Sequence, residues 1–240
     1  MLFEERIWGV NFMILNLKKS FYFGLAAASM FAASGLLTSN ASAKSYAKIT
    51  SNEVMQTASQ NRNVTTNGTN ALYTKAGTLR GARIIASKYT LQRYGSSKDS
   101  SQYFRAYRVA TTNRGAVYYK VVSFNGVYRG WIYGGRTTGT FGGGLNLANT
   151  MENSNLPLQK TGYTLSNPKK YTLWVDPKWS QYKAKKVDMS TYNPGDTFTI
   201  TDAAIKTREQ YLYYKVTDDK NSAIVGWAYS GGVSAPDSQQ

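Results

Sequence analysis

Two stretches of the chain show the period-two alternation expected of half-buried β-strands. In the first, Phe104, Ala106 and Arg108 alternate with Tyr103, Arg105, Tyr107 and Val109. Val117, Tyr119 and Val121 then alternate with Tyr118, Lys120 and Val122. Asn125-Gly126 follows, flanked by Phe124 and Val127. That pair favours a type I′ hairpin, because both central residues there take φ > 0. The chain then returns from Tyr128 to Tyr133. In the second stretch Pro194-Gly195-Asp196 predicts a turn into Phe198-Thr199-Ile200, and Asp218-Asp219-Lys220-Asn221 takes the place of Asn-Gly. Neither stretch shows an amphipathic helix.

The two stretches are copies of one unit. Tyr118-Tyr119-Lys120-Val121 leads to Gly130-Trp131-Ile132-Tyr133, and Tyr213-Tyr214-Lys215-Val216 leads to Gly226-Trp227-Ala228-Tyr229. Further back, Arg114 matches Arg208, Ala110 matches Ala204, Phe104 matches Phe198, and Leu72-Tyr73 matches Leu173-Trp174. So many matches in one order indicate an internal duplication. The expected fold is all-β, with a first module over 71–136 and a second over 156–233. Each is close to the smallest size that folds without disulfides. The Ser/Thr/Asn/Gln-rich stretch 44–70 reads as a flexible polar arm or linker. A Gly/Thr/Asn-rich linker, 137–155, joins the modules, with Phe141-Gly142-Gly143-Gly144 as its most flexible part. Residues 234–240 read as a tail.

The N-terminal 43 residues have the pattern of a secretory signal peptide. Lys18 and Lys19 precede the apolar run Phe21 to Leu37, and Ala41-Ser42-Ala43 supplies the small-residue exit. Met13, just before the lysines, is an alternative start. Cleavage would remove Arg6, Lys18 and Lys19 together with Glu4 and Glu5, so nearly all of the +16 net charge stays on the exported chain. No sorting signal, second apolar segment or lipid-bearing cysteine follows, so no membrane span is expected after cleavage. The expected location is extracellular, and export without cysteine fits a Gram-positive cell.

Composition narrows the chemistry. The chain has no histidine and no cysteine. This excludes Ser-His-Asp and Cys-His catalysis, disulfides and His/Cys zinc sites. A carboxylate pair could still hydrolyse glycans, but Glu53, Glu152 and Glu209 fall in the arm, the linker and beside a repeat strand, without a cleft signature. Asp218-Asp219 reads as a solvated turn pair, because the ligand spacing of a calcium loop is missing. No catalytic residue, metal or cofactor is expected.

The Tyr-Tyr-Lys-Val, hairpin, Gly-Trp-(Ile/Ala)-Tyr pattern resembles the bacterial SH3-type (SH3b, GW-like) wall-binding repeat of Gram-positive surface proteins. The leader, the tandem arrangement and the Tyr-rich basic style are similar to surface or S-layer-type proteins of lactobacilli. The resemblance covers roughly residues 70–233 and implies two small SH3-like β-barrels that adhere to the cell envelope. Charge then suggests a ligand. Twelve basic residues oppose Asp99 alone over 71–136, whereas eleven oppose seven acidic ones over 156–233. Arginine's planar fork suits phosphate, and the phosphate polymers outside such a cell are teichoic and lipoteichoic acids. Arg105, Arg108, Arg114, Arg129 and Arg136, with Arg80 and Arg83, are the candidate contacts. Trp131, Tyr133, Tyr128, Trp227 and Tyr229 read either as barrel core or as a surface that stacks on glycan. Peptidoglycan, surface proteins and host mucin are alternative partners, with an S-layer-type subunit or host adhesin as the alternative function. Physiological nucleic-acid binding is not expected of an exported protein, although the charge alone would permit it.

Overall fold

The alternating stretches form the central strands of two sheets. The computed structural model describes residues 45–236, so the expected signal peptide lies outside the described residues. The first half contains β1 (Ile49–Val54), β2 (Asn63–Thr66), β3 (Leu72–Tyr73), β4 (Ile84–Ala86), a helix α1 (Lys88–Gly95), β5 (Phe104–Thr112), β6 (Val117–Ser123), β7 (Arg129–Gly135) and β8 (Leu145–Leu147). These strands make one curled sheet in the order β4-β3-β7-β6-β5-β2-β8, with β1 also pairing β5. The second half contains β9 (Met151–Asn153), β10 (Thr164–Leu165), β11 (Phe198–Lys206), β12 (Leu212–Asp218), β13 (Val225–Tyr229) and β14 (Val233–Ser234). Its main sheet runs β13-β12-β11-β9, and β10 pairs β14. Among the described residues the fold is all-β apart from α1 and three short 3-10 turns. No helix among the described residues is long and apolar enough to cross a membrane.

Strand register reproduces the duplication pair by pair. Across β5-β6-β7, Arg108 faces Lys120 and Lys120 faces Trp131. Across β11-β12-β13, Asp202 faces Lys215 and Lys215 faces Trp227. Both first strands carry an irregularity at the same place, between Ala106 and Arg108 and between Ile200 and Asp202. Such a bulge adds a residue and reverses the alternation beyond it. Phe104 and Ala106 therefore point into the first core, Tyr107 is the extra residue, and Val109 packs inward while Arg108 turns out. Simple alternation had grouped Arg108 with Phe104 and Ala106. The core of the first half gathers Val64, Leu72, Leu91, Phe104, Tyr119 and Ile132, and that of the second gathers Leu173, Phe198, Ile200, Val216, Ile224 and Ala228.

Several expectations are corrected. The polar arm is structured: β1 and β2 both pair β5, and Val64 is fully buried. The 137–155 linker also supplies strands, β8 to the first sheet and β9 to the second. β9 stands to β11 as β1 stands to β5, with Asn153 opposite Ala204 and Asn52 opposite Ala110. Each repeat therefore begins well before the motif that reveals it. Helix α1 was missed. Its N-cap Ser87 accepts the Thr90 N–H, and it buries only Leu91. The β6–β7 turn has Phe124 and Asn125 at its centre, closed by the Gly126 N–H donating to Ser123, and only Gly126 has positive φ. It is not a type I′ turn. Asp218, expected to be solvated, is buried and accepts the Lys220 and Asn221 N–H groups, whereas Asp219 is exposed and accepts from Thr197 and Thr199.

The halves are docked. The β11–β12 turn inserts Arg208 into the first half, where the guanidinium donates to the carbonyls of Tyr94, Gly95 and Asp99 and to Thr65. It also lies 3.8 Å from the Tyr103 ring centroid. Tyr94 and Gly95 end α1, whose last carbonyls have no partner within the helix, so Arg208 acts as its C-terminal cap and countercharge. Beside it, Glu209 accepts the Ser100 N–H and hydroxyl and pairs with buried Lys206 at 3.0 Å.

Candidate functional site

The Gly-Trp motif places tryptophan outward. Trp131 and Trp227 are half-buried on the outer face, and the adjacent Ile132 and Ala228 enter the cores. The barrel-core reading of these tryptophans is thereby corrected. The preceding glycine has a packing reason. A Cβ on Gly130 would lie 2.6 Å from the Tyr73 carbonyl oxygen, and one on Gly226 2.9 Å from that of Trp174. This close approach pairs Trp131 with Tyr73 and Trp227 with Trp174. Each module thus presents a cross-strand row ending in two aromatic rings: Arg108, Lys120, Trp131 and Tyr73 in the first, and Asp202, Lys215, Trp227 and Trp174 in the second.

The candidate arginines do not converge. Arg105 is buried, donates to Asn63 and to Gln181 of the second half, and has its pKa brought down to about 10, chiefly by burial and then by Arg62. It is a docking residue and is unavailable to a polymer. Arg108 donates to the side chain and carbonyl of Asn52. Arg129 is exposed at the start of β7, bonded to the Tyr107 and Tyr182 hydroxyls, and lies 5.4 Å from the Tyr107 ring. Lys120 lies 5.8 Å from Trp131 and 5.9 Å from Tyr107, so Arg108, Lys120 and Arg129 border one aromatic strip. Arg114 and Arg136 sit beyond the opposite end of β7, where Arg136 donates to the Arg114 carbonyl and Arg114 to Ser45. At about 3.3 Å per strand residue, the length of β7 puts Arg129 roughly 20 Å from this pair, while Arg108 and Lys120, level with Trp131, lie nearer. Arg80 and Arg83 are exposed in the β3–β4 connection. Tyr128 packs edge-on against Tyr94 beside the core, and Tyr133 against Tyr118.

A pronounced aromatic cleft lies on the second module. It encloses about 440 Å3, floored by Trp174 and walled by Tyr171, Tyr211, Tyr213 and Tyr229. Lys170, Lys178 and Lys186 line its rim, and no carboxylate is among the lining residues. Lys178 and Lys186 hold their ammonium groups 6.0 and 5.9 Å from the Trp174 ring, and Lys170 lies 4.8 Å from Tyr171. Contact with the Tyr171 hydroxyl raises the Lys170 pKa. Burial pushes the Tyr213 pKa up to about 12.

Of the cleft residues, only Tyr229 was among the sequence candidates. Trp174 is matched to Tyr73 as a repeat position in the sequence, without a role at a site. The missing information was that Trp174 and Lys186 face each other across a hairpin.

No protein-family model matches the sequence, and no curated protein matches it. Among solved structures, a candidate autolysin from Listeria monocytogenes superposes with a TM-score of 0.30 at 15% identity. The match covers 79% of this chain and 66% of that one, so the chain spans less than two thirds of its neighbour. A similarity this low identifies neither a ligand nor an activity.

Proposed function

We propose that this is an exported, non-enzymatic protein that binds the Gram-positive cell envelope by holding an anionic wall polymer against its aromatic faces. Teichoic or lipoteichoic acid is the proposed ligand. The observation that supports this reading is the second-module cleft, with five aromatic rings, three rim lysines and no lining carboxylate. Rings offer flat apolar contact to the carbon skeleton of a polyol or sugar, and the ammonium groups meet its phosphates. The Arg108, Lys120 and Arg129 strip gives the same chemistry on the first module. Cys and His are absent, and Glu209 is already committed to Ser100 and Lys206, so binding is favoured over catalysis.

The test is a sedimentation assay with purified walls, with and without teichoic acid, across a salt series. Binding should weaken steeply with salt, by analogy with counterion release from nucleic acid. It should fall about tenfold or more in Lys170→Glu/Lys186→Glu, since two charge reversals at about 1 kcal/mol each exceed one decade. Equal binding to walls stripped of teichoic acid, or salt-insensitive binding, would refute the polyanion mechanism. Ordered arrays of the pure protein would favour the lattice reading, and release of wall fragments would overturn the non-enzymatic one.

A further inference from the structure

A second concavity, of about 330 Å3, opens where the modules meet. Phe124 of the β6–β7 turn lies on one side, with Trp174, Trp179 and Tyr182 of the second-module hairpin on the other, and Lys178 and Lys183 stand at the opening. We infer that this slot is a separate binding site for an anionic saccharide unit, a pyranose ring carrying an acidic substituent. It adjoins the polymer cleft, sharing Trp174 and Lys178 with it, and is told apart from it by the residues that the two do not share. Trp179 and Lys183 line the slot and not the cleft, whereas Lys170 and Lys186 line the cleft and not the slot.

Three observations support the assignment. First, the walls are fixed before any ligand arrives. The Ser180 carbonyl accepts from Thr150 and Asn63, Gln181 accepts from Arg105, and the Tyr182 hydroxyl accepts from Arg129. Tyr182 also packs against Phe124 at 6.5 Å between ring centroids. Rings held this way lose little freedom on binding. Second, Trp179 and Lys183 both occupy the left-handed backbone region, with φ 66° and 59°. This conformation costs a side-chain-bearing residue about 1–2 kcal/mol, and such strain concentrates at binding sites. Of the three such residues among those described, Trp179 supplies an aromatic wall and Lys183 a rim charge of the same slot, while Gln210 lies in the β11–β12 turn. Third, the chemistry is selective. Lys178 lies 5.5 Å from Trp179 and Lys183 5.6 Å from Tyr182, with no lining carboxylate to neutralise them. Aromatic walls favour the apolar face of a sugar ring, and the two cations favour an acid on it. The volume is at the small end for ligand sites, about 300–1,000 Å3, which suits a short saccharide segment.

The test is calorimetric titration of the full exported chain with three probes: tetragalacturonate (rings and charge), maltotetraose (rings only) and inorganic polyphosphate (charge only). Tetragalacturonate should bind at least tenfold more tightly than maltotetraose. Lys183→Glu, at an exposed position, and Trp179→Phe, which keeps the interface filled, should each weaken tetragalacturonate about tenfold or more while changing polyphosphate less than twofold. Lys170→Glu/Lys186→Glu should do the reverse. No binding of tetragalacturonate, or equal loss of both anions in the slot variants, overturns the assignment. Loss of polyphosphate binding in the cleft variants alone bears only on the wall-polymer reading.

Discussion

Arg208→Ala should uncouple the two halves of the protein. The guanidinium donates to three backbone carbonyls and one hydroxyl of the first half and stacks at 3.8 Å on Tyr103. Hydrogen bonds from a charged donor contribute about 1.5–3 kcal/mol each, and a desolvated cation–π contact about 2 kcal/mol. The gross sum overstates the effect, because burying the guanidinium is itself costly, as its lowered pKa shows. Two of the four partners it abandons, Gly95 and Thr65, also line an open concavity, so water can reach them. A net loss of about 3 kcal/mol is expected. With m near 2 kcal/mol/M in urea for a chain of this size, the midpoint should drop by about 1.5 M. The single transition should separate into two as the halves lose coupling. Arg114→Ala is the control, because the same repeat position in the first half is exposed and its guanidinium donates to Ser45 at the surface. It should cost about 0.5 kcal/mol or less. Equal effects of the two variants would refute the plug.

Acid should loosen the same interface. Burial alone would raise the Glu209 pKa, but Ser100 and Lys206 outweigh it and hold the carboxyl below its ordinary value of 4.5. Its contribution is therefore complete above that value and is lost as pH falls through the lower folded one. Glu209→Gln should flatten the acid limb of the urea midpoint between about pH 5 and 3, and an unaltered limb would place the sensitive group elsewhere. Gly226→Ala would set a Cβ 2.6 Å from Val187 and 2.9 Å from the Trp174 oxygen, and Gly130→Ala one 2.6 Å from the Tyr73 oxygen. Each should destabilise by about 1–3 kcal/mol in thermal melts. Gly126→Ala, which meets nothing within 4 Å, should cost only the backbone term of about 1–2 kcal/mol. If Gly130→Ala and Gly226→Ala melt like the parent, close strand approach is not why the motif needs glycine.

The central strands were legible because their alternation is strong and local. Phe104 with Ala106, Tyr119 with Val121, and Ile200 with Val216 all reach the cores. The rest depended on contacts that composition does not encode. β2 is Asn-Val-Thr-Thr and β8 is Leu-Asn-Leu, and they are strands because β2 lies between β5 and β8. Helix α1 has eight residues and one buried position, too little for a period to emerge. The bulges at Tyr107 and Thr201 leave no compositional mark, yet they decide that Arg108 faces out. The arginines were readable as charge but not as fate. Arg105 and Arg208 resemble any solvated arginine until the opposite module is placed against them.

That last point bears on where a polyanion would be held. The first module has the larger basic excess, but Arg105 is sealed in the docking surface and Arg114 and Arg136 lie at the far end of β7 from Arg129. Their summed field still reaches across the solvent within a Debye length of about 8 Å at physiological salt, and so can attract a polymer. Holding the polymer requires charges beside an apolar surface of matching shape. The second module supplies that, with Lys170, Lys178 and Lys186 set about rings that are already packed. Under the proposed function the two modules therefore divide the task. Charge reversal at Arg114 and Arg136 should slow association at low salt and leave dissociation nearly unchanged, whereas reversal at Lys170 and Lys186 should chiefly speed dissociation. Surface plasmon resonance on immobilised lipoteichoic acid separates the two rates. Identical kinetic signatures for the two pairs would show that the duplicated modules act alike, and that the cleft confers no local hold.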